Sequence, residues 1–550
     1  MIRNFVITFI PIFFLSGIIP LGAQTWKWAT GSNCPHGSIE SWPITVDKNG
    51  NTYEWGTQTP FGPSHPADSV ISYFGSDSLR GESDILVSTD SNGVYRWEIN
   101  VTAAEVSNMI TGPDCTLYLF GVFSNSITIG TETLTTSAPY TGFIAKLDST
   151  GHAIWLKKID GSLWTTGAIQ GTKNIYVAGT FNTPTITIGS ATLTNASAPG
   201  LADVFLAKYD TAGNPVWAKS FGGDSSDNIS GVSTDFNGNL YIAGAYTSPH
   251  FTVGTATFNN PTAGAYFYFY AMKYDSSGNP KWGENITNTG ILSAIKGVTS
   301  DLWGNEYITG MYNGTMTFGT LSLPVMPVGS PTSYLAKYNS NGVFQWAKSL
   351  NDFHYPDGDE VSADICGNIW ICTENTYGPD YSMLFEFDSA GIIKDTFTVP
   401  AGGDDERSFA IDNRGNLYFG GDYMRNNIAF GPDTLKLIDS TDETLFIAKL
   451  TYPFCVFNAA LSSENLKNAS PEFELYPNPA YDECTISNTP GNPSITRAEL
   501  YDITGKIAGI YPLAGNNTTI KIRNVLPGFY MCRIYTDDDA VTTMKLVITK

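Results

Sequence analysis

"AKYDTAGNPVWAKS", residues 207–220, joins a short apolar strand to a turn at Gly213 and sets a Trp four residues beyond that glycine. The arrangement returns as "AMKYDSSGNPKW" at 271–282 and as "AKYNSNGVFQWAK" at 336–348. A catalytic motif normally occurs once, whereas one that recurs along the chain marks repeated architecture. Two alternating motifs tile residues 43–450. The first is an apolar strand, then Asp-x-x-Gly, then Trp four residues after the Gly. It falls at Gly93/Trp97, Gly151/Trp155, Gly213/Trp217, Gly278/Trp282 and Gly342/Trp346. At Gly391 the Trp place holds Asp395, and "LFIAKL" at 445–450 begins a seventh copy and stops. The second motif, D-x-x-G-N-x-Y-x-x-G, spans Asp47–Gly56, Asp235–Gly244, Asp301–Gly310 and Asp412–Gly421. Its recurrence at 364–373 carries Trp370 in the Tyr place, and weaker copies centre on Tyr118 and Tyr176.

Each motif reads as a hairpin. Period-2 segments such as "NLYIAGAY" and "VFLAKYD" are strands, and the Asn-Gly and Ser-Gly pairs supply the positive φ of a tight turn. One repeat therefore holds four strands, and repeated four-stranded sheets with aromatic and Gly periodicity predict a β-propeller. The seventh copy lacks its fourth strand. The missing piece stands at the other end of the chain as "TWKWATGS" (25–32), where Trp28-Ala29 matches Trp217-Ala218. The N-terminal segment is thus expected to complete the last of seven blades and leave no open edge. Between the second and third strands most repeats insert a G-x-x-x-L-like segment, as in "ITIGTETL", "FTVGTATF" and "IAFGPDTL". These are expected to be extra hairpins standing on one face of the disc, with a gap at repeat six.

The bulk numbers agree with an all-β chain. Of 550 residues, 29 are Tyr, 31 Phe, 12 Trp and 54 Gly, and 15% are charged, a composition suited to pleated, turn-rich structure. The net charge of −22 repels phosphate backbones, which argues against a nucleic-acid partner. An early Arg3, an apolar run from Phe5 to Leu21 and the small-residue site "LGAQ" read as a signal peptide cut after Ala23. Pro11, Ser16, Gly17 and Pro20 interrupt that run, which disfavours an anchor. Seven cysteines (34, 115, 366, 372, 455, 484 and 532) form no C-x-x-C, so zinc has little support. The expected domains are a signal peptide (1–23), a propeller (24–450), a linker (451–473) and a small β-sandwich (474–550).

Two family resemblances follow from these residues. The "D-x-F-x-A-K-Y-D-x-x-G-x-x-x-W-A-K" and "D-x-x-G-N-x-Y-x-x-G" signatures resemble the SBBP-type bacterial propeller repeat over most of 25–450, best at 204–246. That resemblance implies a fold and export rather than an activity. In the tail, Leu475-Tyr476-Pro477-Asn478-Pro479, Gly505-Lys506, Gly528-x-Tyr530 and Lys545-Leu546 resemble the C-terminal sorting domain of type IX secretion (type A). The acidic run Asp537-Asp538-Asp539 departs from it, where that family often has Gly. The resemblance implies the type IX machinery as partner, passage across the outer membrane, removal of the tail, and often attachment to surface lipopolysaccharide.

No catalytic residue, metal ligand or cofactor site stands out. The D-x-N-G-N stretches at Asp47 and Asp235 are similar to calcium loops, but each copy has one acid, and such a loop needs several. The acidic loops "FGGDSSD" (221–227) and "AGGDDERS" (401–408) are the better calcium candidates, with solvated loops as the default. Recurrence of Asp90, Asp148, Asp210 and Asp275 points to turn caps rather than catalysis, and the Trp series points to packing between blades. "STDSNGVYRW" (88–97) resembles a sialidase Asp box with the Asp-to-Gly spacing one residue too long. The expected function is a non-enzymatic binding module for a protein or glycan. A glycan hydrolase or lyase using the central funnel is the alternative, since a funnel can gather residues distant in sequence. A quinoprotein-like enzyme is a weaker one, because those rings typically have eight blades and often adjacent cysteines.

Overall fold

The computed structural model describes residues 25–548 apart from 61–70, 351–359, 375–380, 401–407, 438–442, 452–472, 489–493, 503–506 and stretches of one to three residues. The signal-peptide reading therefore lies outside the described residues, as do nearly all of the linker and of the 401–408 loop, and Cys366, Cys455, Pro479 and Gly505.

All named elements among the described residues are β-strands. Among the described residues of 25–451, seven sheets carry four main strands each. In one of them Ser162–Gln170, Asn174–Phe181, Asp203–Asp210 and Pro215–Phe221 lie side by side in chain order, all antiparallel. The innermost strands of consecutive sheets are Gly37–Val46, Ala104–Thr111, Ser162–Gln170, Asp227–Thr234, Ala294–Ser300, Glu360–Ala363 and Ser408–Ile411. Each packs beside the next, and the last packs back on the first. Such a closed cycle of sheets is the propeller arrangement. Short polar side chains stitch the inner strands together. Asn108 Nδ2 donates to the Gly167 carbonyl (2.9 Å), Thr111 Oγ1 to Val46 (2.7 Å) and Thr234 Oγ1 to Ile169 (3.0 Å). These three donors are thereby satisfied across the seams.

The seventh sheet takes its outer strand from the chain's start. Thr25–Gly31 pairs antiparallel with Glu443–Thr451, placing Trp28 opposite Lys449 and Ala29 opposite Ala448. Trp217 and Ala218 stand in the same way opposite Lys208 and Ala207.

The inserted hairpins depart from expectation. They do not stand up from one face of the disc. Ser126–Ile129/Glu132–Thr135 lies against the outer strands Tyr95–Val101 and Ala153–Ile159, so it wedges into the seam between two sheets. The hairpins at 250–259 and 428–435 sit likewise, that at 185–194 lies against the outer strand Pro215–Phe221, and Met316–Phe318 pairs directly with the outer strand Pro280–Asn288 of the preceding sheet. The reason is their apolar alternation. Ile127 and Ile129 are fully buried beside Trp97 and Ile99, and Phe251 and Phe258 beside Trp217. A hairpin on the disc face would leave this side exposed to water.

Candidate functional site

The repeat acids are taken up by their own turns. Asp210 Oδ1 accepts the N–H groups of Ala212 and Asn214, both at 2.9 Å, while Gly213 turns at φ +79°. Hydrogen bonds from the Asn214 side chain and backbone hold the Asp210 carboxyl below its usual range. In the second motif, Asp235 Oδ1 accepts from the Asn237 and Asn239 backbones, and Oδ2 accepts from Asn239 Nδ2 (2.7 Å) and the Tyr241 hydroxyl (3.0 Å). Asp47, Asp301 and Asp412 repeat this geometry.

The tryptophans act across the seams. Trp217 Nε1 donates to the Ser276 carbonyl in the next sheet's turn (3.3 Å), and its ring lies on Gly278, where an added Cβ would come within 3.0 Å. Lys208 Nζ donates to the same carbonyl at 2.9 Å. The Trp grip recurs for Trp28 on Ser91 and Gly93, Trp97 on Ser149 and Gly151, Trp155 on Thr211 and Gly213, Trp282 on Ser340 and Gly342, and Trp346 on Ser389 and Gly391. Gly342→Ala is therefore expected to lose roughly 2–4 kcal/mol, because a Cβ there meets the Trp282 ring at 2.5 Å on a backbone with φ +79°. Gly415→Ala has the same φ and nothing within 4 Å, so it should lose about 1–2 kcal/mol. Denaturant unfolding of the two variants measures the difference, and equal losses would remove the seam contact from the account.

In the loop "FGGDSSD" one acid braces the chain internally. Asp227, fully buried, accepts on Oδ2 from the Gly223 N–H and the Ser248 hydroxyl, both at 2.8 Å. Among the described residues no three His, Cys, Asp or Glu side chains gather to hold a metal ion. Burial raises the Asp227 carboxyl to about 6, against the hydrogen bonds it accepts. With the folded value above the unfolded one, the site's contribution is full below about pH 4 and is lost as pH rises through about 6. Asp227→Asn should flatten the decline of Tm between those values, and a wild-type slope retained in the variant would assign the decline elsewhere.

The C-terminal residues fold around a core of their own. Phe473–Tyr476, Glu483–Asn488 and Asn517–Lys521 form one sheet. Ile507–Gly515, Ile495–Asp502, Gly528–Thr536 and Val541–Ile548 form another in that order. Cys484, Ile486, Ile495, Leu500, Cys532 and Leu546 bury between them. Of the predicted motif residues, Leu475 packs on this core and Tyr476 is 46% exposed, its hydroxyl 3.4 Å from Asn517 Oδ1. Pro477 and Asn478 follow in a bend. Gly528 and Tyr530 belong to the second sheet, with Tyr530 buried and opposite Leu546.

A cluster the sequence reading missed lies across two strands of that second sheet. Glu499 accepts from the Tyr501 and Tyr535 hydroxyls (2.6 and 2.7 Å) and pairs with Arg497 Nε (3.2 Å). Arg497 also lies 4.0 Å over the Tyr535 ring. Burial alone would raise the Glu499 carboxyl, but the two hydroxyls and the guanidiniums of Arg497 and Arg533 outweigh it and hold it low. The alternation Arg497, Glu499, Tyr501 was the available signal.

Residues 474–549 match the family described as the secretion system C-terminal sorting domain. This tail is a type IX sorting domain. The other likenesses are weaker. A WD repeat-containing protein of Acanthamoeba polyphaga mimivirus, L264, is 28% identical over 202 residues, covering 31% of this chain and 14% of that protein. The regulatory protein FlaEY of Caulobacter vibrioides is 24% identical over 196 residues, covering 34% and 20%. The match thus spans a fifth or less of each relative's length. Among solved structures, the Dos1 propeller (TM-score 0.39, 7% identity) covers 78% of this chain and 95% of its own. Sqt1 from Chaetomium thermophilum (0.39, 8%) covers 78% and 100%. The sheet order and the cyclic packing of inner strands, rather than these likenesses, carry the fold.

Proposed function

We propose that the chain is an exported seven-bladed propeller of SBBP type that binds a protein or glycan without turning it over, delivered by the type IX machinery through a C-terminal sandwich. The observation that carries delivery is the sorting domain at 474–549, which supports secretion or display at the cell surface. The binding reading is supported by how the repeat's acids are used, since each is held by its own turn's amides and side chains. A signal peptide at 1–23 and a surface lipopolysaccharide anchor belong to the same reading. The test is an array of surface glycans and proteins probed with the purified propeller, run beside a turnover assay on the polysaccharides. Saturable capture without product is expected, and turnover that depends on one or two acidic residues would replace binding with catalysis.

A further inference from the structure

We infer that a cleft on the second sheet seats a neutral saccharide; this rests on the reading of the propeller as a binding module. The cleft holds about 490 Å³, within the roughly 300–1,000 Å³ of small-ligand sites. Residues 135–138 form one wall, and Lys158, Asp160 and Gly161 form the other. It exists because two closures present in the following sheets are missing here. Thr136, Asn195 and Asn260 are equivalent residues, donating their N–H groups to the carbonyls of Asn125, Pro184 and Pro249 (2.8, 3.0 and 2.9 Å). Asn195 Nδ2 then bridges its loop to the Phe181 and Leu201 carbonyls (3.1 and 3.0 Å), and Asn260 Nδ2 reaches the Tyr266 carbonyl (3.0 Å). Thr136 has no amide to make that bridge, and its hydroxyl shares a hydrogen bond with the Thr141 hydroxyl (2.7 Å). The link to the next sheet differs as well. In the third sheet it runs over residues 222–226, and the Asp224 carbonyl accepts from the Ala198 N–H of the loop (3.4 Å). In the second sheet the link is only Asp160 and Gly161, too short to lie over the loop.

A pyranose ring has an apolar C–H face and a rim of hydroxyls, each both donor and acceptor. The cleft suits both. Lys158 Nζ and Asp160 Oδ1 stand 3.0 Å apart with both side chains exposed, so a charged donor and a charged acceptor face solvent side by side. Thr135 and Ser137 add exposed hydroxyls on the other wall. Two residues beyond each wall stands an exposed apolar side chain, Tyr140 after Ala138 and Leu163 after Gly161. The two segments approach closely at Gly142, where an added Cβ would come 2.8 Å from Ser162 Cβ. The Lys158–Asp160 pair is neutral as a unit and the whole chain carries −22, which favours an uncharged ligand over an acidic one. Residues 136–138, 160 and 161 lie outside the strands, so these walls present no strand edge along which a peptide would pair.

The full chain is titrated calorimetrically with hexasaccharides of glucose, mannose and N-acetylglucosamine, and with a hyaluronan hexasaccharide as the acidic comparison. At least one neutral hexasaccharide should bind. Tyr140→Ala should weaken it roughly three- to tenfold, as the loss of one aromatic contact requires. Asp160→Ala should weaken it roughly tenfold or more, because a charged acceptor is removed. Both side chains are exposed, so both variants should fold as the wild type does. Val343→Ala, exposed at a turn of the fifth sheet, should bind unchanged. Equal weakening in all three variants, or in none, overturns the cleft while the binding module stands. Preference for hyaluronan, or no binding of any neutral hexasaccharide, overturns it as well. Release of shorter sugars during the titration overturns binding without turnover, and the variants' affinities still decide the cleft.

Discussion

A chain from which residues 24–32 are removed is expected to melt far below the chain 24–550, or to aggregate. The deletion strips Glu443–Thr451 of its outer partner and leaves a bare strand edge. It also removes two aromatic anchors. Trp26 packs on Phe419 and Phe430 with ring centroids 5.6 and 4.8 Å away. Trp28 covers Gly93 and donates to Ser91 at 3.0 Å, tying the seventh sheet to the first. Truncating a fully buried tryptophan costs about 3–5 kcal/mol; Trp28 is half-buried, so Trp28→Ala alone should lower Tm by about 2–4 °C. The deletion should do worse, because every other seam leans on a closed ring. Thermal unfolding with light scattering measures both. A deletion variant that stays monomeric with an unchanged Tm would refute closure by the N-terminal strand.

Removal of residues 474–550 should leave the propeller folded and stop its delivery. Among the described residues the seven sheets draw no strand from beyond Thr451, and the sorting domain has its own core. In a bacterium with type IX secretion, an epitope in the propeller of the intact chain should appear at the surface or in the medium. The product should be shortened near 451–473, and the truncated chain should stay in the periplasm. Equal surface delivery of the truncated chain, or a mature surface protein still ending in Lys550, would overturn the sorting role. A folded but retained propeller distinguishes this outcome from the first experiment, in which the fold itself fails.

Repeats, turns and strands were legible because their signals are local. A strand shows as period-2 alternation, and Gly213 or Gly278 shows as the residue that must turn at positive φ. The closing strand was legible too, since Trp28-Ala29 carries the register of Trp217-Ala218. The sorting domain showed as an ordered set of short motifs. The buried acids at the closing seam left no such trace. Ser41 donates to Glu54 and Ser38 to Glu443, and burial pushes the Glu54 carboxyl well up, yet nothing in the flanking sequence marks either acid as buried.

What the sequence by itself determined is thus the unit: four strands, two turns, and the aromatic that recurs with them. What the tertiary structure decided is where the unit's side chains go. Trp28 meets Ser91 across 63 residues and Trp97 meets Ser149 across 52, so each tryptophan's partner lies about one repeat ahead, outside any window of periodicity. The same distance hid the hairpins' place, because the apolar side of 126–135 finds its cover on the outer strands of two sheets. Local pattern specifies which backbone each residue adopts, while burial and charge pairing between neighbouring sheets specify what each side chain touches.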